Sequence, residues 1–256
     1  MYNKLKKSIV NMLLTGPVLL SSCFLLLRTK VPLEATYYRS SEQTRSDTLF
    51  VLLPGRKSRG ADFDRHGFID IVKKSGLAVD CVAVEAHFGY YVKRKLLPRL
   101  AADIIQPARN QGYGHIWLVG ISMGGLGALL YAREHPDTIS GVILLAPFLG
   151  DKEVIAEIDQ AGGLSHWQPE QPLVGEADYQ RAIWLWLKDN LTTSSNRVRL
   201  ILGYGLQDRF ARANSLLATQ MSPEQVFTTM GGHDWETWRQ LFTRILAGSD
   251  DWHNPP

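Results

Sequence analysis

Ser122 stands in the run Gly120-Ile121-Ser122-Met123-Gly124-Gly125, flanked by glycine two positions away on either side. A serine hydroxyl attacks poorly unless a base takes its proton and a third group orients that base. Residues of both types lie downstream. Asp208 sits in Gly205-Leu206-Gln207-Asp208-Arg209-Phe210, and His233 in Gly231-Gly232-His233-Asp234-Trp235. The chemistry these three could perform together is nucleophilic acyl transfer through an acyl-enzyme.

The other histidines fit less well. His135 precedes Pro136 at a helix end, where it can cap carbonyls. His115 opens a strand at the far end from Ser122, and His253 lies in the tail. His66 and His87 stand on loops and remain open as substrate contacts. Asp151 follows the strand before Asp208's and is a rival carboxylate; Asp208 could instead cap the helix after it. Negative charge developing on a substrate carbonyl needs two backbone N–H donors. Met123, directly after the serine, would supply one, and Arg56, after Phe50-Val51-Leu52-Leu53-Pro54-Gly55, the other. Glycine-rich strand-to-helix turns also bind phosphate, but the Gly-Lys-Ser/Thr ending of a phosphate loop is missing here. No metal site and no cofactor are expected.

These residues need a scaffold of buried strands ending at one edge. Apolar runs at 48–53, 77–86, 115–120 and 139–150 read as strands, as do 197–205 and 225–232. Helical patterns fall between them, near 63–74, across 90–112 with Pro98 inside, from 123 until Pro136 stops it, and at 210–220 and 234–248. An edge strand is expected around Ala35 to Arg39. Alternation of this kind implies an α/β architecture, a mostly parallel sheet with helices on both faces. It lapses between residues 151 and 190, which read as a small cap insertion with two helices. Three segments follow: 1–27 as targeting or anchor, 28–46 as tether, and 47–250 as the folded domain.

The chain has 256 residues and 45% hydrophobic content, enough for one sizeable core. Without Lys4, Lys6 and Lys7 the 28 basic residues fall to 25, equal to the 25 acidic ones. The body is therefore neutral and offers no argument for nucleic acid. Those lysines precede an apolar stretch, and Leu20-Ser21-Ser22-Cys23 then resembles the lipobox of bacterial lipoproteins. That resemblance implies cleavage before Cys23, lipid on its sulfur and a place in the bacterial cell envelope. The apolar run from Ile9 to Leu27 is also long enough to span a bilayer as one helix. Either way the N-terminus would hold the body at a membrane. Cys81 lies in an apolar run and reads as a buried core residue.

The stretch Gly120-Ile121-Ser122-Met123-Gly124-Gly125 resembles the nucleophile elbow of the α/β-hydrolase superfamily, in particular its lipases, esterases and monoacylglycerol-lipase-like members. Residues 131–148 are similar to the helix and strand that follow the elbow there. The loops around Asp208 and His233 resemble the acid and histidine loops, and the likeness covers about residues 47 to 247. It implies a serine hydrolase acting on a small-molecule acyl ester. Where many relatives have His-Gly at the oxyanion loop, this chain has Pro54-Gly55. Phe148, Tyr90 and Trp167 are candidates to line an apolar acyl pocket, with Trp184 and Trp186 also on the insertion. Thioester or amide cleavage, acyl transfer to an alcohol, and a non-catalytic scaffold remain alternatives.

Overall fold

The computed structural model describes residues 28–41, 46–170, 173, 178–192 and 198–248. Cys23 and the rest of the 1–27 segment lie outside them.

The strands are β1 (Ala35–Tyr38), β2 (Thr48–Leu53), β3 (Val79–Val84), β4 (His115–Ile121), β5 (Gly141–Leu145), β6 (Arg199–Gly205) and β7 (Val226–Thr229). They form one seven-stranded sheet in the order β1-β3-β2-β4-β5-β6-β7. β1 runs antiparallel to β3, and every other pairing is parallel. All residues of β2, β3 and β5 are buried, as continuous apolar runs covered on both faces require.

The helices are α1 (Gly60–Arg65), α2 (Phe68–Lys74), α3 (Phe88–Val92), α4 (Leu96–Arg99), α5 (Gln106–Asn110), α6 (Met123–Glu134), α7 (Lys152–Gln160), α8 (Tyr179–Thr192), α9 (Ala211–Ala218) and α10 (Trp235–Ala247). Two helices expected from the sequence are subdivided. The 63–74 pattern breaks at Gly67, which takes φ +78° between α1 and α2. The 90–112 pattern breaks at Arg94, at φ +52°. Pro98 sits in the first turn of α4, where a missing N–H costs nothing. The chain from Leu100 to Ile105 is wound as a π-helix just ahead of Pro107, which has no N–H for the carbonyl four residues back.

α7 and α8 follow β5 and belong to the insertion. Trp184 is fully buried and its indole N–H donates to the Leu149 carbonyl at 2.7 Å. That bond ties the insertion to the end of β5.

Candidate active site

Parallel strands leave β4, β5, β6 and β7 at the same edge of the sheet, and this edge carries the reactive loops. Ser122 joins β4 to α6 at φ +54°, ψ −114°, a conformation that costs a non-glycine residue of order 1–3 kcal/mol. The surroundings over-determine it. The Ser122 N–H donates to the Leu145 carbonyl at 3.0 Å, and its own carbonyl accepts from Gly125 and Phe148, both at 3.0 Å. The flanking glycines are needed for space. A Cβ on Gly120 would lie 2.5 Å from the Gly124 carbonyl oxygen, and one on Gly124 would overlap the Leu53 carbonyl oxygen. The elbow is tight because β4, α6 and the end of β2 converge on it.

His233 Nε2 lies 2.9 Å from Ser122 Oγ, and His233 Nδ1 lies 2.7 Å from Asp208 Oδ2. The other carboxylate oxygen, Oδ1, accepts the Phe210 N–H at 2.7 Å. The Asp208 side chain is 0% exposed and that of His233 11%. The chain of contacts thus runs from a buried carboxylate to the serine at the turn between β4 and α6, itself 7% exposed. The loops bearing the two residues are joined as well, because Leu206 and Gln207 donate backbone N–H groups to the Thr229 and Gly231 carbonyls.

Aromatic rings fix the imidazole. Phe210 and Trp238 each meet His233 edge-on, both at 5.0 Å between centroids. Phe148 packs against Phe210 at 5.5 Å. Phe210 and Trp238 escaped the sequence reading. The available signals were the position of Phe210 two residues past Asp208, and that of Trp238 five past His233 on the core face of α10.

Met123 is the first helical residue of α6, so its N–H has no acceptor within the helix. Gly55 borders the serine directly; a Cβ there would lie 3.6 Å from Ser122 Cβ. Arg56 follows it, with its guanidinium 4.8 Å above the Phe88 ring. The Tyr91 hydroxyl donates to the Met123 carbonyl at 3.1 Å.

Two expected pocket residues are placed elsewhere. Tyr90 is 1% exposed, and its hydroxyl is bonded to the Lys30 N–H and carbonyl, each at 3.0 Å. Trp167 is 2% exposed. Trp167 packs in the hydrophobic core, and Tyr90 borders a cavity with Arg59, Glu85 and His87 whose lining does not include Ser122, so neither offers an exposed ring to an acyl group on the serine. Phe148, in contrast, is half-buried beside Phe210.

The rival residues have other partners. Asp151 precedes α7 and is bonded to Gln180 at 2.7 Å. His66 stacks on Trp235 at 4.3 Å. His87 caps α3 through the Gly89 N–H; burial, then the nearby Arg59 charge, lowers its pKa from the ordinary imidazole value.

A family model described as "Putative esterase" matches residues 69–249. The chain belongs to this esterase family. Among curated proteins, the proline iminopeptidase of Neisseria gonorrhoeae is 40% identical over 73 residues, which are 28% of this chain and 23% of that protein. The chain thus spans under a quarter of the length of that curated relative. Among solved structures, the fluorophosphonate-binding serine hydrolase F of Staphylococcus aureus superposes with a TM-score of 0.59 at 14% identity, covering 87% of this chain and 96% of that one. Est1E from Butyrivibrio proteoclasticus gives 0.58 at 18% identity, with 83% and 90% covered. At such identities the likeness shows the fold, which is that of the α/β-hydrolases.

Proposed function

We propose that the protein hydrolyses carboxylic esters through an acyl-enzyme on Ser122, with His233 as base and Asp208 as its orienting carboxylate. The observation that carries this reading is the continuous pair of hydrogen bonds, 2.9 Å and 2.7 Å, from Ser122 through His233 to Asp208. His233 Nε2 takes the serine proton as Oγ attacks the ester carbonyl carbon. Backbone N–H groups of Met123 and Arg56 stabilise the resulting oxyanion. The tetrahedral adduct collapses, the C–O bond breaks, and the alcohol leaves with the proton from His233. Water then attacks the acyl-enzyme with His233 again as base, releasing the acid and restoring Ser122.

The acyl group is apolar in this reading, because Phe148 and Phe210 form a half-buried aromatic pair beside His233. Amide cleavage is the second reading, favoured by the 73-residue similarity to a proline iminopeptidase. Residues 1–27 hold the body at a membrane of the bacterial cell envelope, either by lipid on Cys23 or by a helix from Ile9 to Leu27. Support comes from Lys4, Lys6 and Lys7 ahead of the apolar run and from Leu20-Ser21-Ser22-Cys23.

A fluorophosphonate probe tests the nucleophile. The expected result is labelling of the wild type and none of Ser122→Ala. Labelling of a folded Ser122→Ala would move the nucleophile elsewhere, and an unlabelled, folded wild type would favour a non-catalytic scaffold.

A further inference from the structure

The antiparallel strand decides where the N-terminal segment meets the body. Ala35, the first residue of β1, pairs with Val84, the last of β3, and Tyr38 pairs with Cys81. β3 is parallel to β2, which is parallel to β4. β1 therefore begins at the edge where β4 ends in Ser122. Residues 28–34 reach the fold from that reactive edge.

The entry is also fastened. The Tyr90 hydroxyl bonds both the N–H and the carbonyl of Lys30. Asp103 accepts the Leu33 N–H at 2.7 Å, and Leu33 itself is buried. The Glu34 carbonyl accepts the Glu85 N–H at 2.8 Å. A segment held at residues 30, 33 and 34 cannot act as a loose tether. The described chain therefore starts on the side of the reactive edge.

The same edge also carries exposed apolar side chains. Among the described residues, the exposed large hydrophobic side chains are Tyr37, Val92, Val31 at 63%, Leu206 at 52% and Met230 at 66%, and the last three belong to this edge. Val31 lies at the entry, and Leu206 and Met230 follow β6 and β7 on the reactive loops. The strand order puts β1 at one end of the sheet, β6 and β7 toward the other, and β4 in the middle. With strands about 4.8 Å apart, these side chains flank Ser122 across roughly 29 Å. Exposed Arg56 and Arg209 lie on the same edge, each guanidinium above a phenylalanine ring, Phe88 or Phe210. Apolar side chains with interspersed guanidinium groups suit an interface of acyl chains and anionic headgroups.

We propose that the reactive edge is a membrane-docking face, apposed to an anionic bilayer, and that the substrate is an amphiphilic ester taken from that bilayer. This rests on the N-terminal membrane attachment and the ester hydrolysis proposed above. Entry of the chain on the reactive-edge side and docking through Val31, Leu206 and Met230 orient the body with Ser122 toward the lipid. A long-chain ester then reaches Oγ without crossing water.

Photocrosslinking in the membrane-bound full chain tests the orientation. Benzoylphenylalanine is introduced at Leu206 or Met230 on the reactive edge, or at Asn110 or Glu224 on the opposite one. The protein is bound to vesicles of phosphatidylcholine and phosphatidylglycerol containing tritiated lipid. The expected result is lipid adducts at 206 and 230, roughly tenfold above those at 110 and 224. Equal adducts at both edges, in protein that sediments with the vesicles, would overturn the docking face and leave the attachment standing. Protein-to-protein adducts at 206 and 230 would overturn it in favour of a second copy on this surface. Protein that stays in the supernatant would overturn attachment and docking together. Fluorophosphonate labelling of the same samples reports on the ester-hydrolase reading separately. The double variant Leu206→Asp/Met230→Asp should lower turnover of a vesicle-held ester, relative to a soluble short-chain ester, by about tenfold. An unchanged ratio would count against the proposal.

Discussion

Asp208 directs Oδ2 at His233 Nδ1 across 2.7 Å while its side chain is wholly shielded from water. A buried carboxylate in that position fixes the imidazole tautomer that leaves Nε2 free to accept a proton. Asp208→Asn keeps the shape but presents an amide that can donate to Nδ1 and favour the wrong tautomer. The expected loss in kcat is on the order of 10⁴. Asp151→Asn, outside this contact, should stay near the wild-type rate on the same ester. The reverse result would reassign the carboxylate.

His233 Nε2, 2.9 Å from Ser122 Oγ, is the base in the proposed reaction. His233→Gln should therefore lower kcat/KM by about 10²–10⁴. The rate of fluorophosphonate labelling should fall with it, since it uses the same base. Labelling and turnover of a folded His233→Gln at wild-type rates would contradict a histidine base.

Gly124 has no room for a side chain. Its added Cβ would overlap the carbonyl oxygen of Leu53, a backbone atom at the end of a fully buried strand. Gly124→Ala should therefore push α6 away from β2 and displace Ser122 at the head of that helix. A destabilisation of about 1–3 kcal/mol in urea unfolding is expected, with loss of most activity. Gly163→Ala is a useful contrast. Gly163 has no atom within 4 Å of the added Cβ, and its cost should come from its φ of +108° alone, with activity retained.

The sequence made Ser122, Asp208 and His233 candidates because each lies just after an apolar run, and parallel strands bring such positions to one edge. The same reasoning could not place Tyr90 or Trp167. Both are large and aromatic, Tyr90 six residues past β3 and Trp167 in the insertion, and only tertiary packing determines whether such a ring faces a cleft or the interior. Tyr90 faces inward because its hydroxyl finds both backbone groups of Lys30, 60 residues away. Phe210 and Trp238 were illegible for a related reason. Their contact with His233 depends on how the end of β6 meets α10, which local periodicity does not encode. The helix breaks at Gly67 and Arg94 depend on single backbone torsions that a smooth hydrophobic pattern hides.

Cys81 lies in β3 and burial pushes its thiol up to about 12. It should not react with a thiol reagent in the native protein at pH 8 and should react fully after unfolding. The folded pKa lies above the unfolded value, so the associated stability is present in full below the ordinary thiol pKa. It is lost as pH rises from about 9 toward 12. Unfolding measurements across that window should show declining stability, with Cys81→Ala showing less of the decline. Rapid labelling of native Cys81 at pH 8 would contradict the buried site.

Cys23 separates the two forms of membrane attachment. Burial of lipid acyl chains is worth about 0.8 kcal/mol per CH₂, so two or more chains on Cys23 suffice to hold a neutral body at a bilayer. In that form the mature protein begins at Cys23 and lacks residues 1–22. Cys23→Ala should then abolish lipid labelling and the mass change from cleavage. If residues 9–27 instead remain as a membrane-spanning helix, Cys23→Ala should leave a full-length, membrane-bound protein. Intact mass and membrane fractionation of the two proteins distinguish these outcomes. Wild-type protein that is full length and found only in the soluble fraction would refute both. Hydrolysis of a soluble ester should survive Cys23→Ala in either form, because Ser122, Asp208 and His233 meet at the far end of strands built from residues beyond Thr48.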